Sequence, residues 1–294
     1  MSTIAVKAAR LGSGLLLPYA EAGYPEGAPV VFLHGLGDSW WTFEPLLRQL
    51  PAAVHGYAPT QRGHGDAERP ADGYLPEDFA RDLVAFLDAV DVGRAVLVGA
   101  SSGGVVARMV AGSHPDRVAG LVLAGAPAAL ADKPGAAALR RRVDGLKDPV
   151  PRAFAEELLD ELAARPLGRG LVATLTAESL KVPARVWRET LRGLMETDLP
   201  ATLRGILVPT LVLWGDADTL LPRTDQQRIL DAIPGSELIV YEGAGHLLYV
   251  EEPERVVQDV VAFASRVLPA GASGGAPGRA GRPPSPGGPG APPV

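Results

Sequence analysis

AVLVGASSGG, residues 95–104, is the stretch on which the fold turns. Ala95 to Ala100 is apolar or small at every position. Such a run reads as a strand buried on both faces, as in a parallel sheet covered by helices. It leads into a glycine-rich turn with two adjacent serines, and a helix is predicted from about Ser102 to Gly112. Gly99, Ser101 and Gly103 fit G-x-S-x-G in the strand–turn–helix setting that this motif requires. The spacing has a steric reason. A turn this tight strains the backbone of its central residue, and strand and helix approach so closely that positions two residues away must be small. Gly99, Gly103 and Gly104 meet that need. With Ser102 at the centre the flanking residues would be Ala100 and Gly104, a poorer fit. Ser101 is therefore the candidate nucleophile, and Ser102 falls where its backbone N–H can donate to an oxyanion. Rival readings of the turn lack their signatures. No lysine follows, as a phosphate loop needs, and G-x-G-x-x-G is absent from it.

Outward from this turn, the same rhythm of short apolar strand and helical pattern recurs. Strands are predicted at Pro29 to Gly35, Val54 to Pro59 and Gly120 to Ala126, with helices at Thr42 to Leu50 and Glu77 to Val90. The N-terminal segment reads as two strands joined by a turn at Gly12 to Gly14. From about Ala129 to Pro200 only helical patterns are found, the clearest at Arg152 to Ala164 and Ala184 to Met195. The rhythm resumes with a strand at Thr210 to Asp216, a helix at Asp225 to Ile233, a strand at Ser236 to Gly243 and a last helix near Pro253 to Leu268. The expected fold class is α/β: a mostly parallel central sheet flanked by helices, interrupted by one all-helical insertion. The expected boundaries are residues 1–128 and 203–268 for the two parts of the core and 129–202 for the insertion. Residues 269–294, rich in proline and glycine with almost no large apolar side chain, are expected to be disordered.

A serine nucleophile needs a base and an acid that orients it. Of the five histidines, His246 in GAGHLLYVEEPE follows a strand and precedes the last helix, which puts it at the sheet edge where Ser101 emerges. His34 is expected to shape a loop, His64 sits in the turn QRGHGD, His55 reads as a strand residue and His114 ends a helix. In LVLWGDADTLLP both Asp216 and Asp218 follow a strand. Asp216, nearer the strand end, suits bracing of the turn, and Asp218 has the reach to orient a histidine. The second oxyanion donor is expected from the backbone of Leu36, in LHGLGDS, where Gly35 and Gly37 permit close approach. Trp40, Trp41, Trp187 and Met195 are candidate pocket walls.

Composition narrows the classes of function. The chain has 28 basic and 34 acidic residues, a net charge of −6, and no basic stripe of the kind that nucleic acid requires. The densest cluster, Arg140 to Arg142, reads as a solvated helix face. The absence of cysteine excludes disulfides, thiolate metal sites and cysteine nucleophiles. No histidine pair has metal-ligand spacing, so no metal is expected. No run reaches the roughly 18 apolar residues of a membrane span, and glycines interrupt the N-terminal apolar stretch that a signal peptide would need intact. A cytoplasmic protein without nucleic-acid or membrane partners is expected; oligomeric state is not legible.

These motifs together resemble the α/β-hydrolase fold family. The order Ser101, Asp218, His246 matches that family's nucleophile–acid–histidine order. His34 to Gly37, QRGHGD and GAGH stand where the family carries its oxyanion loop, a recurrent turn and its histidine loop. The resemblance runs from about Leu15 to Leu268, with the helical insertion where many members carry a cap. It implies a cofactor-independent serine hydrolase of a small-molecule acyl substrate, an ester or a lactone. Ser101, Asp218 and His246 would be catalytic, and the Leu36 and Ser102 N–H groups would form the oxyanion hole. Carbon–carbon bond hydrolases and perhydrolases share this triad, and a ligand-binding receptor on the same fold is a further alternative. The elbow departs from the frequent G-H-S-M-G-G: Ala100 and Ser102 replace the histidine and methionine, which leaves the nucleophile intact and changes the side chains beside the pocket.

Overall fold

A computed structural model describes residues 2–268. The expected disordered segment, 269–294, lies outside the described residues. The chain enters through β1 (Ala5–Arg10) and β2 (Leu16–Gly23), which pair antiparallel as the predicted two strands and turn. Then come β3 (Ala28–Leu33), a 3₁₀ turn (Trp40–Phe43), α1 (Glu44–Leu47), β4 (Val54–Pro59), α2 (Pro76–Ala89), β5 (Ala95–Ala100), α3 (Ser102–Ser113) and β6 (Val118–Ala124). Four helices follow without an intervening strand: α4 (Pro134–Asp144), α5 (Arg152–Leu162), α6 (Arg169–Leu180) and α7 (Ala184–Glu196). A 3₁₀ turn (Leu199–Leu203) leads back to β7 (Thr210–Gly215), α8 (Arg223–Ala232), β8 (Glu237–Tyr241), α9 (Leu248–Glu251) and α10 (Pro253–Val267).

The eight strands form one sheet in the order β1-β2-β4-β3-β5-β6-β7-β8. β2 is antiparallel to both its neighbours, and every other pair is parallel. β5, β6 and β7 are buried at every position, as their unbroken apolar runs require. Successive side chains of β5 face opposite sides of the sheet. Leu97 packs in one core cluster with Val106 and Val110 of α3, while Val96 and Val98 join Val256, Val260 and Phe263 of α10 in the other. The helix expected at Thr42 to Leu50 is displaced. Ser39 caps a 3₁₀ turn that begins at Trp40, the α-helix spans only Glu44–Leu47, and turn hydrogen bonds carry the chain on to Leu50.

Both ends of the four-helix segment are tied to α3 by one buried side chain. The guanidinium of Arg108, on α3, donates to the Pro127 carbonyl (2.5 Å) as the chain leaves β6. It also donates to the Leu199 carbonyl (3.1 Å) and the Thr202 hydroxyl (2.8 Å) as the chain returns. Burial lowers its pKa to about 9, the nearby Asp225 opposing. Asp225, on α8, accepts from the Ala128 N–H (2.8 Å) and pairs with Lys133. The arginine run of α4 lies at the surface. Arg140 pairs with Asp144, and Arg142 reaches Glu157 and Glu161 on α5. No helix among the described residues is long and apolar enough to cross a membrane.

Candidate active site

Ser101 stands between β5 and α3 with φ 50° and ψ −120°. A non-glycine residue holds such a conformation only at a cost of about 1–3 kcal/mol, supplied by its surroundings. Two hydrogen bonds fix it: its N–H donates to the Ala124 carbonyl (3.0 Å), and its carbonyl accepts from Gly104 (3.0 Å). The flanking glycines are sterically required. A Cβ on Gly99 would lie 2.4 Å from Gly104 Cα, and one on Gly103 would lie 2.2 Å from the Leu33 carbonyl oxygen. The helix start is thus wedged against the ends of β5 and β3, and the serine is pushed out at the carboxyl end of the sheet.

His246 and Asp218 arrive from the loops after β8 and β7. His246 Nε2 lies 3.0 Å from Ser101 Oγ, and His246 Nδ1 lies 2.9 Å from Asp218 Oδ2. The second oxygen of Asp218 accepts from the N–H groups of Leu220 (2.8 Å) and Leu221 (2.9 Å), which fixes the carboxylate plane. With Nδ1 donating to Asp218, Nε2 presents its lone pair to the serine. Asp216 does something else: its Oδ1 accepts from the Gly243 N–H (2.6 Å) and braces the neighbouring turn. The His246 N–H donates to the carbonyl of Leu162 (2.9 Å), the last residue of α5. The Glu251 carboxylate adds a second tie, accepting from Gly245 (3.1 Å) and from Ala164 (3.3 Å) just beyond α5. The histidine loop is therefore held partly by the four-helix segment.

The loop after β3 passes directly over the serine. A Cβ on Gly35 would lie 3.3 Å from Ser101 Cβ. Among the described residues, the N–H groups of Leu36 and Ser102 have no hydrogen-bond partner. Both belong to backbone that borders Ser101, and the Ser102 N–H lies in the first turn of α3, where donors point away from the helix. His34 and His64 support this loop from beneath. Gln61 donates its backbone N–H to His34 Nε2 (2.9 Å) and its side-chain amide to the His34 carbonyl (2.8 Å). His34 Nδ1–H donates to Gly35 (2.8 Å), and His64 Nδ1–H to Arg62 (2.9 Å). Burial lowers their pKa values to about 3 and about 4. His34 shapes the loop, as its position in the sequence implied.

A cavity of ≈ 40 Å³ opens beside Ser101 and His246. Leu158, Leu159 and Leu162 of α5, Leu175 of α6 and Trp187 of α7 wall it. Of the residues expected as pocket walls, Trp187 is there; Trp40 and Met195 are not. Trp40 is buried in the core and stacks on Trp41 with ring centroids 4.2 Å apart. Met195 lies eight residues beyond Trp187 on α7, two turns on and about 80° round the helix. It borders a separate depression with Asp132 and Arg228. The sequence reading missed the leucines of α5 and α6, whose spacing is that of any helix packed on a core. It also missed Asp38 and Tyr249, which line the cavity as well. Asp38 was within reach: it lies in the quoted LHGLGDS loop, two residues after Leu36.

The model of the alpha/beta hydrolase family matches residues 30–259. A non-heme chloroperoxidase of Streptomyces lividans is 30% identical over 273 residues, covering 83% of this chain and 94% of the relative. A 2-hydroxymuconate semialdehyde hydrolase of a Pseudomonas species is 29% identical over 262 residues, covering 84% and 90%. Among solved structures, a thermophilic esterase from Thermogutta terrifontis superposes with a TM-score of 0.77 at 27% identity, covering 90% of this chain and 99% of that one.

Proposed function

The chain belongs to the alpha/beta hydrolase family, and from that premise we propose that it is a serine hydrolase of carboxylic esters or lactones working through an acyl-enzyme. The observation that carries this reading is the unbroken hydrogen-bonded line Ser101–His246–Asp218, at 3.0 and 2.9 Å, beside two unpaired backbone N–H groups. In this reading His246 Nε2 takes the Ser101 proton as Oγ attacks the acyl carbonyl. Asp218 keeps the imidazole in the required tautomer and stabilises the imidazolium that forms. The Leu36 and Ser102 N–H groups stabilise the tetrahedral oxyanion, a contribution worth about 10²–10³ in rate per donor. His246 then protonates the leaving alcohol and afterwards activates the water that releases the acid. No cofactor takes part in any of these steps, and the partner is a small acyl substrate. The four helices between β6 and β7 serve as a cap, since they supply the leucine wall over the nucleophile and anchor the histidine loop.

The chloroperoxidase relative supports a second reading, in which peroxide replaces water in the deacylation step and the product is a peracid. A panel of aryl esters, lactones and ring-fission diketones, with and without peroxide and halide, separates these chemistries from one another and from a receptor with slow turnover. Ser101→Ala is expected to lower turnover on the preferred substrate by about 10⁴-fold or more. An active-serine probe is expected to label Ser101 alone. Full activity in that variant would overturn the nucleophile assignment.

A further inference from the structure

One charged side chain faces the leucine-walled cavity besides the Ser101–His246–Asp218 line. Asp38 borders it together with Ser101, His246 and Tyr249. A point placed where a Cβ of Gly35 would be is 3.3 Å from Ser101 Cβ and 3.4 Å from Asp38 Oδ2. The carboxylate and Ser101 thus both lie against Gly35, and both border the cavity that an acyl group attached to Ser101 would enter. No lysine or arginine lines the cavity to offset that charge. The groups that face Asp38 are the Thr42 hydroxyl of the 3₁₀ turn, His246 of the loop after β8 and Tyr249 of α9. Burial holds the Tyr249 phenol well above its ordinary range, so it stays neutral. The remaining side chains of the wall are uncharged: the leucines of α5 and α6, Ala155, Ser179, Trp187 and Leu247, with Leu36 of the loop after β3.

We propose that Asp38 sets the substrate class of this pocket: it admits acyl groups that are uncharged along their length and turns away those that carry a carboxylate. The proposal rests on Ser101 as the nucleophile. Two like charges a few ångströms apart, in a cavity that water screens poorly, repel strongly enough to discriminate by one or two orders of magnitude. An aliphatic chain meets the leucines of α5 and α6 without such a term, and a hydroxylated chain gains a hydrogen-bond acceptor.

The repulsion depends on the ionisation of Asp38. Burial raises its pKa to about 7, with Thr42 and His246 pulling the other way. A carboxyl with a raised pKa is neutral below that value and charged above it. Rejection of anionic acyl groups therefore strengthens as pH rises through about 7.

The test compares benzyl butanoate with the benzyl monoester of succinate, which share a four-carbon acyl chain and differ in the terminal carboxylate. The readout is the ratio of their kcat/KM values, from which proton transfers at the shared triad cancel. At pH 8 wild-type protein is expected to prefer the neutral ester by at least tenfold. The preference should shrink between pH 8 and pH 6, although the succinate carboxylate stays ionised throughout. In Asp38→Asn the ratio is expected to fall at least tenfold and to lose its pH dependence, mainly through KM for the anionic ester. A ratio unmoved in both Asp38→Asn and Asp38→Ser would overturn the proposal. So would a wild-type ratio that is flat with pH, a measurement that needs no variant. Ser101→Ala separates the two levels of the argument: if it hydrolyses both esters at the wild-type rate, it is the nucleophile reading that fails.

Discussion

Ser101 and His246 meet across 3.0 Å, yet the two loops that present them are held by different means. The serine turn is held locally. Glycines at 99 and 103 let β5, α3 and β3 close in until backbone meets backbone, and the strained φ of 50° at Ser101 follows from that contact. The histidine loop is wedged too, but on two sides: a Cβ on Gly215 would lie 2.2 Å from the Ala244 carbonyl oxygen at the sheet, and one on Gly245 would lie 2.5 Å from the Ala164 nitrogen of the helical segment. Its hydrogen bonds reach into the helical segment: Leu162 accepts from the His246 N–H, Glu251 bridges Gly245 and Ala164, and Arg165 donates to the carbonyls of Glu242 and Gly243. Of the two halves of the candidate site, the serine turn is thus fixed by the sheet and α3, whereas the histidine loop depends also on how the helices between β6 and β7 are docked. Damage to the first half is expected to show as lost folding stability. Damage to the second should show as misplacement of the base in a protein that still folds.

The largest effect expected of a single change is at Gly103. A methyl group there meets the carbonyl oxygens of Leu33 at 2.2 Å and His34 at 2.6 Å, and neither is free to move without breaking the sheet edge. Gly103→Ala should lose about 3 kcal/mol of stability, the upper range for overpacking. Urea denaturation checks it, and an unchanged midpoint would dissolve the distinction drawn between the two loops.

Acid acts next, and on the same half. His34 and His64 are buried and neutral, with pKa values of about 3 and about 4 against 6.5 for an exposed imidazole. As pH falls below 6.5 the unfolded chain takes up these protons before the folded one does. The stability they support is full above that pH and lost progressively beneath it, by about 2 kcal/mol for each histidine at pH 5. Protonation of His34 also removes the lone pair that accepts from Gln61. Melting curves between pH 7 and pH 5 should show the decline, and a His34→Gln variant should show a shallower one.

The smallest effect belongs to the clasp. Glu251→Ala removes the carboxylate between Gly245 and Ala164, at a cost of about 1–2 kcal/mol. We expect kcat to fall about tenfold while the melting temperature drops by only a few degrees. If stability and kcat instead fall together as steeply as in Gly103→Ala, the two halves are one cooperative unit.

Legibility followed the same division. The elbow could be read because its cause, close approach of two backbones, leaves glycines at fixed offsets within a few residues. The tandem of strand and helix gave the α/β class for a similar reason: strands buried on both faces must be apolar at every position. His246 and Asp218 were found only through their order along the chain and their place after strands, and the choice between Asp216 and Asp218 rested on reach alone. Asp216 turns out to brace Gly243, which its nearness to the strand end implied.

The pocket could not be read in this way. Trp40 and Trp187 look alike as sequence, yet one is buried against Trp41 in the core and the other closes the space beside Ser101. Leu158, Leu159 and Leu162 have the spacing of any amphipathic helix, and nothing local says whether that face meets a core or a cavity. Asp38 is two residues from Leu36 in the same loop, but only the folded chain places it beside leucines in a cavity lined by no lysine or arginine. The sequence by itself determined the sheet, the serine at the elbow and the chain order of the aspartate and histidine beside it, because short-range steric and burial constraints act within each segment. The tertiary structure decided which helical faces form the pocket, what clasps the histidine loop and what charge an acyl group would meet, because those depend on surfaces brought together from distant parts of the chain.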